Sequence, residues 1–246
     1  MKRRMKNLLI DVGNSSLKAA FAEGTELEEI HRKEGKERYL EFILQLLDDE
    51  PVSVIAVSCV GDTEEMFFEE LERRCNKLIV VKGETPLPII NEYRRPETLG
   101  ADRLVAAYAA TKLFPEKNCM IFDFGTAVTI DFVTADGKFL GGNISPGLNS
   151  RFRALNDYTQ RLPLVKTGID IPLRGRETTE AIQAGVILGL IFEIEGYIRA
   201  YPDYTVIFIG GDANYFAEEI KNPIFAVCNF VLIGLAHIAN SYVDGN

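Results

Sequence analysis

The chain has 246 residues, 47% of them hydrophobic, and a formal net charge of −9 at pH 7. That length fits one large domain or two small ones, and the apolar content is ample for a packed core, which excludes a disordered chain. The acidic balance lacks the basic footprint needed to bind nucleic acid or an anionic membrane, yet it permits an anionic small ligand, because backbone amides bind phosphate locally.

Residues 7–12 and 16–22 read as two strands around the turn Gly13-Asn14-Ser15. Helical periodicity follows over residues 37–47, then a strand over 52–58, a helix over 63–75 and a strand over 78–81. "ETPLPIINEYRRPET", residues 84–98, is rich in proline and polar residues and reads as a loop. The alanine-rich helix "LGADRLVAAYAATKLF" comes next and stops near Pro115. A second meander then begins over residues 119–123, 127–133 and 138–142, with Asp136-Gly137 as the tight turn between its last two strands. Helices are predicted from residue 146 to about 159 and from 178 to about 200. "YTVIFIGGD" reads as a buried strand running into a Gly-Gly turn, and "IFAVCNFVLIGLAHIAN" as a closing strand and helix.

Two stretches repeat: "LLIDVGNSSLKAAFAEG" from Leu8 and "MIFDFGTAVTIDFVTADG" from Met120. Aligning Asp11 on Asp123 puts Gly13 on Gly125 and Asn14 on Thr126. One D-x-G hairpin alone would be an ordinary β-hairpin, but two in equivalent contexts state an architecture. The repeat divides the chain into α/β halves over residues 1–115 and 116–246. Two such halves facing each other would bring both hairpins to a shared cleft.

Cys59, Cys75, Cys119 and Cys228 form no C-x-x-C pair, and only His31 and His237 accompany them. A zinc site or disulfide framework is therefore not expected, and the cysteines read as free thiols in a reducing cytosol. The start "MKRRMKNLLI" lacks a signal-peptide core, and the uncharged stretch over residues 181–192 is short of the roughly 20 residues a membrane span needs. A cytoplasmic protein without a membrane partner is expected.

Small residues at Gly13-Asn14-Ser15 and Gly125-Thr126-Ala127 let backbone N–H groups approach phosphate oxygens. A carboxylate beside phosphate requires a cation between them, so Asp11 and Asp123 read as ligands, direct or through water, of Mg²⁺ or a monovalent ion. Lys18, on the strand after the first turn, either neutralises phosphate charge or is simply solvated. No G-x-x-x-x-G-K-[ST] occurs, which excludes a P-loop. "GGNISPG" and "IGGD" are further glycine turns at strand ends; Pro146 in the first fits a helix start.

"DVGNSSLK", "NEYRRPETLGADR", "FDFGTAVTID", "GGNISPG" and "IGGD" follow one another in the order seen in type III pantothenate kinases, and the chain resembles that family from Leu8 to about Ile233. The resemblance implies an α/β duplicated ribonuclease H-like fold of the actin-like ATPases, with two lobes around a central cleft. It implies phosphorylation of pantothenate by ATP with Mg²⁺ and with K⁺ or NH4⁺ as activating cation, in a homodimer. Position by position, Asp11, Val12, Gly13, Asn14, Ser15, Ser16, Leu17 and Lys18 form the first phosphate hairpin, and Thr126 contacts ATP. Tyr93, Gly100, Ala101, Asp102, Arg103 and Thr178 border pantothenate, Asp102 accepts the proton, Asp123 binds the monovalent cation and Asp11 attends Mg²⁺. Two departures stand out. Ser15 replaces a common threonine and keeps its hydroxyl; Ile209 replaces the first threonine of Thr-Gly-Gly-Asp and loses one.

The residues alone leave alternatives open. Asp102, in the first turn of an Ala-rich helix, suits a proton acceptor or merely complements the helix dipole, a term of ~0.3–1 kcal/mol. The guanidinium fork of Arg103 suits a substrate carboxylate or a surface ion pair. Tyr93 walls a pocket or is an exposed loop aromatic, and Thr178 meets substrate or caps the helix that follows. That helix carries Gly185 and Gly189 amid apolar residues, a stripe that faces either the core or a second subunit.

Overall fold

The computed structural model describes residues 5–35, 37–49, 51–61, 64–168 and 170–243. The basic residues at positions 2–4 therefore lie outside the described residues.

The chain opens with three strands, β1 (Lys6–Val12), β2 (Ser16–Glu23) and β3 (Glu26–Glu34). Helix α1 (Tyr39–Asp49), β4 (Val52–Cys59), α2 (Glu65–Glu72) and β5 (Cys75–Val81) follow. β2 is antiparallel to β1 and β3, and β4 is parallel to β1 and β5, which gives the order β3-β2-β1-β4-β5. Alternation along β1 divides its two faces. Leu8, Ile10 and Val12 join Ile55 and Val57 against Ile43 and Leu47 of α1 and Phe67 and Leu71 of α2. The other face carries Leu9 and Asp11.

Two short elements stand in the expected loop: β6 (Ile90–Asn91) and a 3-10 turn at Pro96–Thr98. Helix α3 (Ala101–Leu113) follows, and then β7 (Cys119–Phe124), β8 (Ala127–Val133), β9 (Lys138–Pro146) and α4 (Leu148–Asp157). The chain closes with α5 (Thr178–Ala200), β10 (Thr205–Gly210), α6 (Ala213–Glu219), β11 (Ile224–Ala226) and α7 (Phe230–Val243). The second sheet has the order β11-β10-β7-β8-β9-β6. Without β6 this is the first sheet repeated: a three-strand meander with two parallel strands added beside its first member. The repeat seen at the two D-x-G turns thus extends to whole sheets.

Contacts divide the chain into two compact units. One holds the described residues of Met1–Glu116, Val133–Gly141 and Asn229–Asn246; the other holds Lys117–Phe132 and Gly142–Cys228. In the first, α3 and α7 pack on each other and on β4. In the second, Phe122 and Phe124 of β7 and Phe208 of β10 pack with Leu148 and Phe152 of α4, Ile187 and Leu190 of α5 and Phe216 of α6. Burying a side chain of this size stabilises by about 1.5–3 kcal/mol, so this cluster anchors β7 and the turn after it.

Several boundaries differ from expectation. β9 runs on to Pro146, so that residue ends a strand and α4 starts at Leu148, with Gly147 as N-cap. Cys75 begins β5 rather than ending α2. β3 was not expected at all. Helix α5 has the expected bounds and, at 23 residues, is long and apolar enough to cross a membrane by length and composition. Its Ile182, Val186, Ile187, Leu190, Ile194 and Ile198 nevertheless lie in the core of the second unit. On another face, Gly185, Gly189 and Gly196 border open space and Phe192 is 59% exposed.

Candidate active site

The first turn is closed by a bond from the Gly13 N–H to the Ser16 carbonyl at 3.0 Å. Asn14 and Ser15 are exposed at its tip, while Val12 and Leu17 are buried and belong to the core cluster. Those two residues therefore offer only backbone to a ligand. The Gly35 N–H donates to the Ser15 carbonyl at 3.1 Å and ties the end of β3 to the turn. Asp11 is half-buried; its register partners are Lys18 on β2 and Ser58 on β4. A cavity of about 480 Å³ adjoins this turn, lined among others by Val12, Gly13, Tyr39, Val60 and Phe67. Arg38, Glu41 and Glu64 are its charged lining, and Arg38 is paired with Glu41.

The stretch "NEYRRPETLGADR" is held to β9 of the same unit. β6 pairs in parallel with β9, Ile90 opposite Lys138 and Asn91 opposite Phe139. The Asn91 amide donates to the Gly83 carbonyl at 3.1 Å and accepts the Tyr93 N–H at 3.0 Å, a local turn that aims the tyrosine. The Tyr93 ring stacks on Phe139 at 6.2 Å, and the Arg103 guanidinium lies over it at 5.6 Å. Arg103 is only 7% exposed, which removes the reading as a surface ion pair.

Asp102 is half-buried in the first turn of α3, and its Oδ1 accepts the Arg103 N–H at 2.8 Å. A Cβ added at Gly100 would stand 2.5 Å from that oxygen, so the missing side chain makes room for the carboxylate. Tyr93, Gly100, Ala101, Asp102 and Arg103 are thus brought together. Asn91, the first residue of the motif, and Phe139, in the expected strand over 138–142, complete the group; the pairing between them was not legible, because a two-residue strand has no periodicity to read.

In the second unit, three of the glycine turns meet. The Gly147 N–H and the Ser150 hydroxyl both donate to the Thr126 carbonyl, at 3.0 and 2.6 Å. The Gly211 N–H donates to the Phe124 carbonyl at 2.9 Å. Gly210 has φ +93°, and a Cβ there would lie 2.5 Å from Asp123 Oδ1. The turn between β7 and β8 is one residue shorter than its repeat, since the Gly125 N–H donates to the Ala127 carbonyl at 3.0 Å. Thr126 itself is exposed and Asp123 half-buried, in register with Ile209. Asp212 follows, half-buried, and its burial raises the carboxyl pKa.

Thr178 is exposed, as the first residue of α5. It does not cap that helix: Glu177 is the N-cap residue and makes no side-chain capping bond.

No group of three or more histidine, cysteine, aspartate or glutamate side chains that could hold a metal ion occurs among the described residues. Mg²⁺ brought in with a nucleotide uses one or two carboxylates together with phosphate oxygens and water. Asp11 beside a turn of small residues meets this requirement.

The profile of the type III pantothenate kinases matches residues 7–200. A type III pantothenate kinase of Phocaeicola vulgatus is 41% identical over 242 residues, covering 97% of this chain and 99% of the relative. The chain belongs to the type III pantothenate kinase family. A family member from Flavobacterium johnsoniae is 37% identical, again over 97% of this chain and 99% of its own. Among solved structures, a putative Baf family transcriptional activator from Campylobacter jejuni shares the fold with a TM-score of 0.63 at 20% identity, over 96% of this chain and 98% of that one. The ADPNP-bound activator of 2-hydroxyisocaproyl-CoA dehydratase from Clostridium difficile aligns with a TM-score of 0.57 at 14% identity, over 98% and 96% of the two chains. MreB5 of Spiroplasma citri, bound to ADP, gives 0.52 at 10% identity over 99% of each. The kinase therefore has the duplicated ribonuclease H-like fold of the actin-like ATPases.

Proposed function

We infer that this kinase transfers the γ-phosphoryl group of ATP to the 4′-hydroxyl of pantothenate, the step that opens coenzyme A synthesis. The observation that carries the reading is the cluster of Tyr93, Asp102 and Arg103: an aromatic wall, an acid at a helix start and a buried guanidinium. Arg103 binds the pantothenate carboxylate through its planar fork, and Tyr93 and Gly100–Arg103 bound the pocket. The 4′-oxygen attacks γ-phosphorus, the bond from γ-phosphorus to the bridging oxygen breaks, and the hydroxyl proton passes to Asp102. In a largely dissociative transition state that proton leaves late, so an ordinary carboxylate is adequate once it is aimed.

The hairpin Asp11–Lys18 of the first half takes the phosphates of ATP. Asp11 would hold Mg²⁺, which would neutralise the negative charge on the β- and γ-phosphate oxygens. Asp123 takes the activating K⁺ or NH4⁺, supported by its place against Gly210, where no side chain intervenes. The enzyme works in the cytoplasm as a homodimer. The glycine face of α5 with exposed Phe192 suits the subunit contact, and Thr178 at the start of that helix meets pantothenate.

ATP consumption measured with and without pantothenate, in sodium and then in potassium, tests this. Pantothenate-dependent turnover that rises in potassium is expected. The reading fails if consumption ignores pantothenate or follows another alcohol. An Asp123→Ala variant should flatten the potassium titration.

A further inference from the structure

The carbonyl of Thr126 is held by two donors from the segment that opens α4, the Gly147 N–H at 3.0 Å and the Ser150 hydroxyl at 2.6 Å. The Gly147 N–H belongs to the same planar trans peptide as the Pro146 carbonyl, and the two groups point in opposite directions. Arg151 grips this peptide from its carbonyl side. Its Nε donates to the Pro146 carbonyl at 2.8 Å, and its Nη2 donates to the Ser145 hydroxyl at 3.1 Å and pairs with the Glu193 carboxylate. One guanidinium thus ties the end of β9, the start of α4 and α5 to the turn between β7 and β8. All of these residues lie in the second compact unit.

The fit is close. Gly147 has φ −67° and ψ 169°, which any residue adopts, but a Cβ there would stand 2.1 Å from the Gly125 carbonyl oxygen and 2.7 Å from that of Thr126. The segment therefore rests directly on the backbone of the turn. The first half uses the same device. β3 is to β2 what β9 is to β8, and the Gly35 N–H just beyond β3 donates to the Ser15 carbonyl at 3.1 Å. Both D-x-G turns are fastened by one carbonyl from the end of the third strand, and the second adds a charged clamp. Because a peptide is planar, fixing the Thr126 carbonyl also fixes the direction of the Ala127 N–H, one of the backbone donors at the turn.

We propose that Arg151 is a positioning residue for the nucleotide: through the Pro146–Gly147 peptide it sets the backbone of the turn Gly125-Thr126-Ala127 that meets ATP phosphate. A guanidinium suits this task because its planar fork serves three acceptors in fixed directions, whereas an ammonium group brings the charge without that geometry. The role rests on the reading of this turn of small residues as a phosphate turn. The test therefore carries Gly147→Ala, which displaces the turn directly.

Arg151→Lys, Glu193→Gln and Gly147→Ala are compared with the unaltered enzyme for MgATP affinity by calorimetry, the KM for each substrate, and Tm. Arg151→Lys keeps a charge for Glu193 and loses the grip on the peptide. MgATP binding about fivefold weaker is expected, the scale of one lost hydrogen bond, with a raised KM for ATP. The KM for pantothenate should not change, because Tyr93 and Arg103 stand in the first unit. Glu193→Gln removes the ion pair and keeps an acceptor, so Tm should fall while MgATP affinity holds. Unchanged MgATP affinity in Arg151→Lys overturns the proposal, and so does a loss that follows Tm equally in Arg151→Lys and Glu193→Gln. If Gly147→Ala weakens MgATP binding while Arg151→Lys does not, Arg151 alone loses its role. If Gly147→Ala also binds MgATP normally, the turn does not meet ATP, and the proposal falls with that reading.

Discussion

The guanidinium of Arg103 lies 5.6 Å from the centre of the Tyr93 ring, although ten positions of chain separate the two residues. The contact holds a buried cation over an aromatic face, where the attraction is worth on the order of 0.5–2 kcal/mol. It also fixes the direction of the fork proposed to bind the pantothenate carboxylate. Lysine keeps the charge but loses both the fork and the flat stacking surface. Arg103→Lys is therefore expected to raise the KM for pantothenate about tenfold, with a smaller change in kcat and none in the KM for ATP. Steady-state kinetics with each substrate varied in turn checks this.

Gly100 has φ −60° and ψ 133°, a backbone that any residue adopts. A methyl group there meets chiefly the Asp102 carboxylate, 2.5 Å away. Gly100→Ala should therefore displace the acid without unsettling the helix. The prediction is a kcat lower by at least tenfold with Tm unchanged or slightly lowered, since alanine is a poorer N-cap than glycine while it reduces the freedom of the unfolded chain. A melting curve and a kcat measurement on the same preparation decide it.

The strongly patterned parts of the chain are legible in the sequence. β8 and α5 have the predicted bounds because each is an apolar run set between turn residues, Gly125 and Asp136-Gly137 around β8 and Gly175 and Pro202 around α5. The strand "ELEEIHRKE" was not legible, because β3 lies at the edge of its sheet and is charged along most of its length. Pro146 misled because proline serves a helix start and a strand end at a sheet edge equally well. Within the site, the motif residues around Asp102 could be named, but Phe139 beside Tyr93 and Ser150 beside Thr126 could not. Each acts through a partner remote in sequence, and no local pattern marks it.

Burial raises the pKa of Asp212, the acid that follows the Gly-Gly turn. Folding therefore favours its protonated form, and the ionised form is held against that preference. The resulting penalty is full above the folded pKa, shrinks as pH falls through it, and is gone below the unfolded value of about 3.9. Asp212→Asn should accordingly raise Tm at neutral pH and have no such advantage below about pH 3.9. Melting curves of both proteins across pH test the sign; a constant difference would place its origin elsewhere.

Asp102 is the acid on which the phosphoryl-transfer reading turns. The decisive measurement is formation of 4′-phosphopantothenate by Asp102→Asn against the unaltered enzyme, with MgATP affinity measured on both. Loss of a positioned proton acceptor costs about 10²–10⁴-fold in rate, so a kcat reduced by that factor with MgATP affinity intact is predicted. Product formed at a rate close to that of the unaltered enzyme would contradict the account.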